Sequence, residues 1–345
     1  MTSEKIGTLD ILIPSKDRHE KLYQLLTSIS RFNLKNIRVL IIDDFSEDLP
    51  KDHPFEFKNY DQLIKSFNNP SFVCFRNEKN IGLAATWCRY YSGFYGEIGA
   101  YVINPTDKDE FISSEPLQEG IRWLTEHKNY NLVMYASTVC SRHEEDVLLK
   151  NEYNDLDGPD FLNHYFYDSD LQRSSPYAMK RNSYVAIMGG LRNLDMESKG
   201  LRDAFGIDME LFLRVAHDGM VKMISMPYIR IFTHAGATER YPLSFAYCYY
   251  QYIRRILKEF LLIGKVKKYA ILDFVKFWHL LMIRGFYNTI YPVHGTESEV
   301  GRSIIGKRLK YPLHLYLIKE KLLWKVGFGE EEKKLFLKSL RFLFR

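Results

Sequence analysis

The sequence predicts an α/β fold: a mostly parallel central sheet flanked by helices, followed by a basic, largely helical C-terminal extension. Three observations point there. Short β-branched or aromatic runs recur about every 30 residues through the first half of the 345-residue chain. Amphipathic helical stretches separate them. Polar and acidic residues gather just after each run, at the ends of strands where parallel sheets bind ligands.

The first run is "TLDILIP" (8–14). It leads through "SKDRHEK" into a helical stretch with Leu22, Leu25, Leu26 and Ile29 on one face. "IRVLIID" (37–43) predicts the second strand, "SFVCFRN" (71–77) the third, "AYVIN" (100–104) the fourth and "NLVMYAS" (131–137) the fifth. Ser114 and Pro116 suit the start of a helix whose buried face is Leu117, Ile121 and Leu124. "VKMISMPYIRI" (221–231) reads as one further strand. Strand, helix, strand at this period means βαβ units.

Composition excludes several classes. Hydrophobic content of 46% and charged content of 26% are those of a folded globular protein. No apolar run reaches the roughly 18–20 residues that span a bilayer, and the N-terminus lacks the pattern of a secretory signal. The cysteines, Cys74, Cys88, Cys140 and Cys248, have no paired spacing, so neither a zinc site nor a disulfide framework is expected. Charge divides the chain. From Ala246 onward there are 20 basic and 8 acidic residues, a net +12; the preceding part is −7. An acidic globular part followed by a basic one suggests chemistry in the first and attachment in the second.

The acidic strand ends carry the candidate chemistry. Asp17 and Arg18 follow the first strand, Asp43 and Asp44 the second, Asn77 to Asn80 the third, and Asp107 and Asp109 the fourth. In "YVINPTDKDEF", Asp107, Asp109 and Glu110 fall within four positions. Crowded carboxylates become favourable around a hard divalent cation such as Mg²⁺ or Mn²⁺, which also bridges to phosphate oxygens. They also serve as solvated turns and helix caps. Asp43 and Asp44 suit either the imide of a uracil or thymine base or a plain turn. Gly82 suits either close approach to a ligand or a simple loop.

The order of these segments resembles the inverting nucleotide-sugar glycosyltransferases of family two, which have the Rossmann-like GT-A fold. "ILIPSKDR" (11–18) is similar to that family's first strand and nucleotide loop. "VLIIDDFSED" (39–48) resembles its paired-Asp turn, "NEKNIGLAATW" (77–87) its Asn-x-Gly-Leu helix entry, and "YVINPTDKDEF" its metal motif. "SSPYAMKRNSYVAIMGGL" (174–191) resembles the strand, basic pair and glycine before the acceptor region; "GIDMELFLRVAHDG" (206–219) resembles the helix start bearing the catalytic base. Residues 8 to 240 follow the expected order. Lys108 between the metal-motif acids and Ile207 before Asp208 depart from the family's more acidic pattern.

The resemblance implies a catalytic domain over 1–240 and a basic aromatic region over 241–345. It implies that Pro14, Ser15, Asp17, Arg18, Asp43, Asp44, Asn80, Gly82 and Asp107 border the nucleotide. Asp107, Asp109 and His234, in "FTHAGATE", would serve a Mn²⁺ or Mg²⁺ ion, and Asp208 would be the general base. The donor expected is a UDP- or dTDP-sugar, and the acceptor a saccharide hydroxyl, lipid-linked in bacterial surface polysaccharide (O-antigen or capsule) synthesis.

The tail interleaves aromatic and aliphatic residues with Arg254, Arg255, Lys258, Lys265, Lys267, Lys268, Lys276 and Arg284. That suits an anionic membrane surface or packing on another copy in a homo-oligomer. The location expected is the cytoplasmic face of the inner membrane, held peripherally. No nucleic-acid recognition module is present, so nucleic acid is not expected as a partner. The alternative function is a catalytically silent nucleotide-sugar-binding or scaffold protein attached by its tail.

Overall fold

The computed structural model describes residues 8–33, 35–140, 147–149, 153–165, 177–181 and 207–232. These belong to the first of two units, Met1–His234 and Ala235–Arg345. The expected tail, and His234 with it, lie outside the described residues.

The elements in chain order are β1 (Leu9–Ser15), α1 (His19–Ser30), β2 (Ile37–Asp43), α2 (Tyr60–Ser66), β3 (Phe72–Arg76), α3 (Leu83–Tyr91), β4 (Tyr101–Ile103) and β5 (Glu110–Phe111). Then follow α4 (Glu115–Glu126), β6 (Tyr130–Tyr135), β7 (Ser137–Cys140), β8 (Val147–Leu149), β9 (Leu156–Asp157), α5 (Gly158–Tyr165) and β10 (Met179–Arg181). Last are α6 (Ile207–His217), β11 (Met220–Ile224) and β12 (Ile229–Phe232).

Eight strands form the central sheet in the order β3-β2-β1-β4-β10-β6-β11-β9. Its core is parallel; β10 runs antiparallel between β4 and β6, and β9 is an antiparallel edge. The fold is the α/β class expected. Alternate residues Leu9, Ile11, Ile13, Val39 and Ile41 cluster with Leu22, Leu25, Leu26 and Ile29 of α1 and with Leu117, Ile121 and Leu124 of α4. Leu12, Leu40, Ile42 and Val102, of opposite parity, are buried as well. Burial on both faces explains why these strands read as continuous apolar runs.

The exception inside β1 is Asp10, fully buried near the strand's start. Its carboxylate accepts from Arg38 Nε (2.9 Å) and Nη2 (2.8 Å), Tyr90 Oη (2.5 Å) and the Gly99 amide (2.8 Å). Hydrogen-bonded on both oxygens, it knits β1, β2, α3 and the loop before β4 together.

Two expected strands each divide in two. The run 131–137 breaks at Ala136 and the run 221–231 breaks around Pro227. The first halves, β6 and β11, pair in the central sheet. The second halves, β7 and β12, pair in a separate four-stranded sheet, β5-β12-β7-β8. Proline has no N–H to continue a ladder, and the Ala136 amide donates to Ile224 O (2.9 Å) where both chains turn. This second sheet places β5, directly after Asp109, against β12 (Ile229 opposite Phe111).

Candidate functional site

β1 lies between β2 and β4. The chain winds outward from β1 through β2 to β3, then returns to pair β4 on the other side of β1. This reversal is the switch point, where a crevice opens beyond the strands' carboxyl ends. The β1–β4 pairing runs from Leu9 opposite Tyr101 to Ile11 opposite Ile103, after which β4 ends while β1 continues to Ser15.

Across that opening Ser15 Oγ donates to Asp107 Oδ2 (2.8 Å) and Arg18 Nη1 to Asp107 Oδ1 (3.2 Å). Tyr60 Oη sits 2.8 Å from Ser15 Oγ and accepts from the Arg18 amide (3.0 Å). Asp107 is buried, and burial raises its pKa against the opposing pull of Arg18 and Ser15. Pro14 is half-buried and Asp17 and Arg18 are exposed.

Asp109 is more deeply placed, at 2% exposure. Its Oδ2 accepts from the Thr106 amide (3.1 Å), from Thr106 Oγ1 and from Tyr177 Oη (2.9 Å). Its Oδ1 is buried and has no hydrogen-bond partner among the described residues. Burial pushes this carboxyl up to about 6, opposed by the bonds from Thr106 and Tyr177 and by the charge of Lys108. An ionised carboxylate with one buried, unpaired oxygen is costly unless something else satisfies it. Lys108 is half-buried between the two acids and acts favourably on both.

Two buried acids end β2. Asp43 Oδ1 accepts from the Ser46 amide (2.7 Å), and Oδ2 lies 3.4 Å from Arg76 Nη1. Asp44 accepts from Asn77 Nδ2 (3.0 Å), the Ile81 amide (2.9 Å) and the Gly82 amide (2.7 Å). Asp44 therefore anchors the loop before α3. Gly82 takes φ +83 as it enters that helix, and exposed Asn80 accepts from the Gly82 amide (3.2 Å). Asp17 (φ +54) donates its amide to Ser46 Oγ (2.9 Å) and accepts from the Glu47 amide (2.8 Å). The loops after β1 and β2 are thus clasped through Ser46.

The structure brings together Ser15, Arg18 and Asp107 in one group, Asp17 and Asp43 through Ser46 in another, and Asp44 with Gly82 in a third. Asp208 is the second residue of α6; its side chain lies outside what the structure describes. Several contributors escape a sequence reading. Tyr60, Ser46 and Tyr177 act on partners 45, 29 and 68 positions away, and only Tyr177, beside the β10 strand signal, has a local cue. His19 is also buried, edge-on to Tyr60 at 4.7 Å; burial lowers its pKa against the pull of Asp43 and Asp17. Lys180, buried on β10, donates to Asn104 Oδ1 (2.9 Å) at the root of the Thr106–Asp109 turn.

Comparison with known proteins gives no matching family model and no matching curated protein. Solved structures do match. TarS 1–349 of S. aureus in complex with UDP aligns at 14% identity and a TM-score of 0.52, over 89% of this chain and 77% of that one. TarS 1–349 alone aligns at 13% identity and 0.48, over 88% and 75%. The fold is similar to that of TarS.

Proposed function

We propose that the chain is a metal-dependent, inverting glycosyltransferase of the GT-A type, moving a sugar from a nucleoside-diphosphate donor to an acceptor hydroxyl. The observation that carries this is Asp109: a buried carboxylate with an oxygen that has no partner among the described residues, near Asp107, on the loop leaving the switch point. The likeness to a fold solved with UDP supports a nucleotide in that crevice.

The donor set fits Mg²⁺ or Mn²⁺. Asp107 and Asp109 offer hard oxygens, and Asp109 Oδ1 lacks a partner among the described residues. No group of three or more His, Cys, Asp or Glu side chains converges among the described residues, so donor phosphates and water would complete the shell. Bound there, the cation would supply charge to the departing diphosphate. Arg18, at the mouth, pairs with Asp107 in the free protein and is placed to face phosphate. Asp43 and Asp17 border the nucleoside, while Asp44 holds the 77–82 loop in position. Asp208 takes the proton from the attacking acceptor hydroxyl, and a single displacement inverts the anomeric carbon. The basic region beyond residue 240 holds the enzyme on an anionic membrane surface beside a lipid-linked acceptor.

The deciding experiment mixes the full chain with Mn²⁺, a panel of UDP- and dTDP-sugars and saccharide acceptors, and measures release of nucleoside diphosphate. Acceptor-dependent release supports the reading. Binding of nucleotide sugar with no release under any pairing favours the silent binding protein, and no nucleotide binding at all removes both.

A further inference from the structure

We propose that Phe45 is a nucleobase platform, its ring stacking on the base of the bound nucleoside diphosphate; this rests on the glycosyltransferase reading and adds a specificity residue to it. Phe45 follows Asp44 at the carboxyl end of β2, one strand from the switch point. Its φ is +66, a left-handed conformation that glycine and asparagine adopt readily and a bulky side chain does not. The residue is nevertheless 45% exposed. An exposed phenylalanine alone means little. One kept in strained backbone, with much of its ring in solvent, is not explained by core packing.

The turn around it is rigidly determined. Asp44 and Ser46 on either side are buried at 6% and 3% exposure. Asp44 is tied to Asn77, Ile81 and Gly82, while Ser46 is tied to Asp43 and Asp17. Asp17, the residue clasped to Ser46, is itself at positive φ. Strained backbone in this setting is a mark of ligand sites.

The ring also has a fixed backing. The Arg76 guanidinium lies 5.4 Å from its centroid. Arg76 is held in turn by Ser46 O (2.7 Å) and sits 3.4 Å from Asp43 Oδ2. A flat ring braced by a cation, beside a buried carboxylate, suits a planar heterocycle. A nucleobase can stack on the exposed ring.

The test titrates UDP, with Mn²⁺ present, into the full chain, Phe45→Asn and Phe45→Tyr by calorimetry. Pyrophosphate with Mn²⁺ serves as the probe lacking a base. Loss of one stacked base is expected to weaken UDP binding by about 10- to 100-fold in Phe45→Asn, while Phe45→Tyr stays near wild type. Pyrophosphate binding should match in all three. Asparagine tolerates positive φ, so the variant should keep its melting temperature; if it does not, Phe45→Gly gives the same reading without backbone strain. Wild-type UDP affinity in a folded ringless variant overturns the platform and leaves the glycosyltransferase reading standing. So does an equal loss for UDP and pyrophosphate. If wild type binds neither UDP nor any other nucleoside diphosphate, both readings fall.

Discussion

Asp109→Asn turns the cost of a buried charge into a measurement. In the unfolded chain this carboxyl ionises near 3.8, whereas in the folded protein burial holds its proton up to about 6. Between those values the folded state binds more protons than the unfolded state, so rising pH favours unfolding. Below pH 3.8 the site costs nothing; above about 6 the cost is complete. At about 1.4 kcal/mol per tenfold change in proton affinity, it amounts to about 3 kcal/mol at neutral pH without metal. Asparagine removes the titration. It keeps an acceptor for Thr106 and Tyr177 and puts no charge at the Oδ1 position, which has no partner among the described residues. Metal-free Asp109→Asn should therefore melt higher than wild type at pH 7.5, by about 6–12 °C for a domain of this size. The gap should close by pH 4. Adding Mn²⁺ and UDP should reverse the order, because wild type regains the cost through a cation that the amide cannot hold. Thermal melts from pH 4 to 8, with chelator and with Mn²⁺ plus UDP, check this. A variant less stable than wild type in chelator at neutral pH, or a difference that does not change with pH, would refute the reasoning. Full turnover by Asp109→Asn would separately refute the metal role.

Three further outcomes are expected. Asp208→Asn should lose about 10²- to 10⁴-fold in turnover with donor affinity unchanged, the signature of a lost general base; normal turnover would move the base elsewhere. Asp44→Ala removes three donors' charged acceptor and should destabilise the protein by about 3 kcal/mol, with faster amide exchange at Ile81 and Gly82; unchanged protection there would mean that another contact holds the loop. Truncation near Tyr311 should reduce recovery on anionic vesicles more than transfer to a soluble acceptor analogue. Intact protein should be weakened on those vesicles, not released, by salt that screens beyond ~8 Å; a protein that ignores anionic vesicles, or a truncation that loses its fold, would make the tail a packing element.

The central sheet was legible because its strands are buried on both faces and its helices expose their period. Leu22, Leu25, Leu26 and Ile29 are all buried in α1, as their spacing requires. The sheet switch at Ala136 and Pro227 was not legible, because an extended run looks the same whichever sheet it pairs in. α2 carries no legible period: it is 7 residues long, too short for a clear helical pattern. Its cue is local, Asn59 capping the Gln62 amide (3.0 Å). In the candidate site, the acids at strand ends could be read from position alone. What each acid does could not, since that depends on donors distant in sequence. Asp43 and Asp44 are neighbours of one residue type, yet Ser46 and Arg76 meet the first while Asn77 and the 81–82 amides meet the second.

That dependence on donors also separates one buried acid from another. Asp10 and Asp109 are both buried, at opposite ends of the same sheet region. Asp10 accepts four hydrogen bonds from three groups: a guanidinium that grips both oxygens, and Tyr90 and Gly99, which close the remaining positions. A carboxylate kept for the fold is satisfied in this way, because each unmade bond costs about 1–3 kcal/mol or more for a charged group. Among the described residues Asp109 receives donors on one oxygen only, all uncharged, and the other oxygen is buried with no partner. If Asp109 served only to close the Thr106–Asp109 turn, an asparagine would make the same bonds without the charge penalty. An aspartate there accords with the proposal that its charge is met by a cation arriving with the substrate.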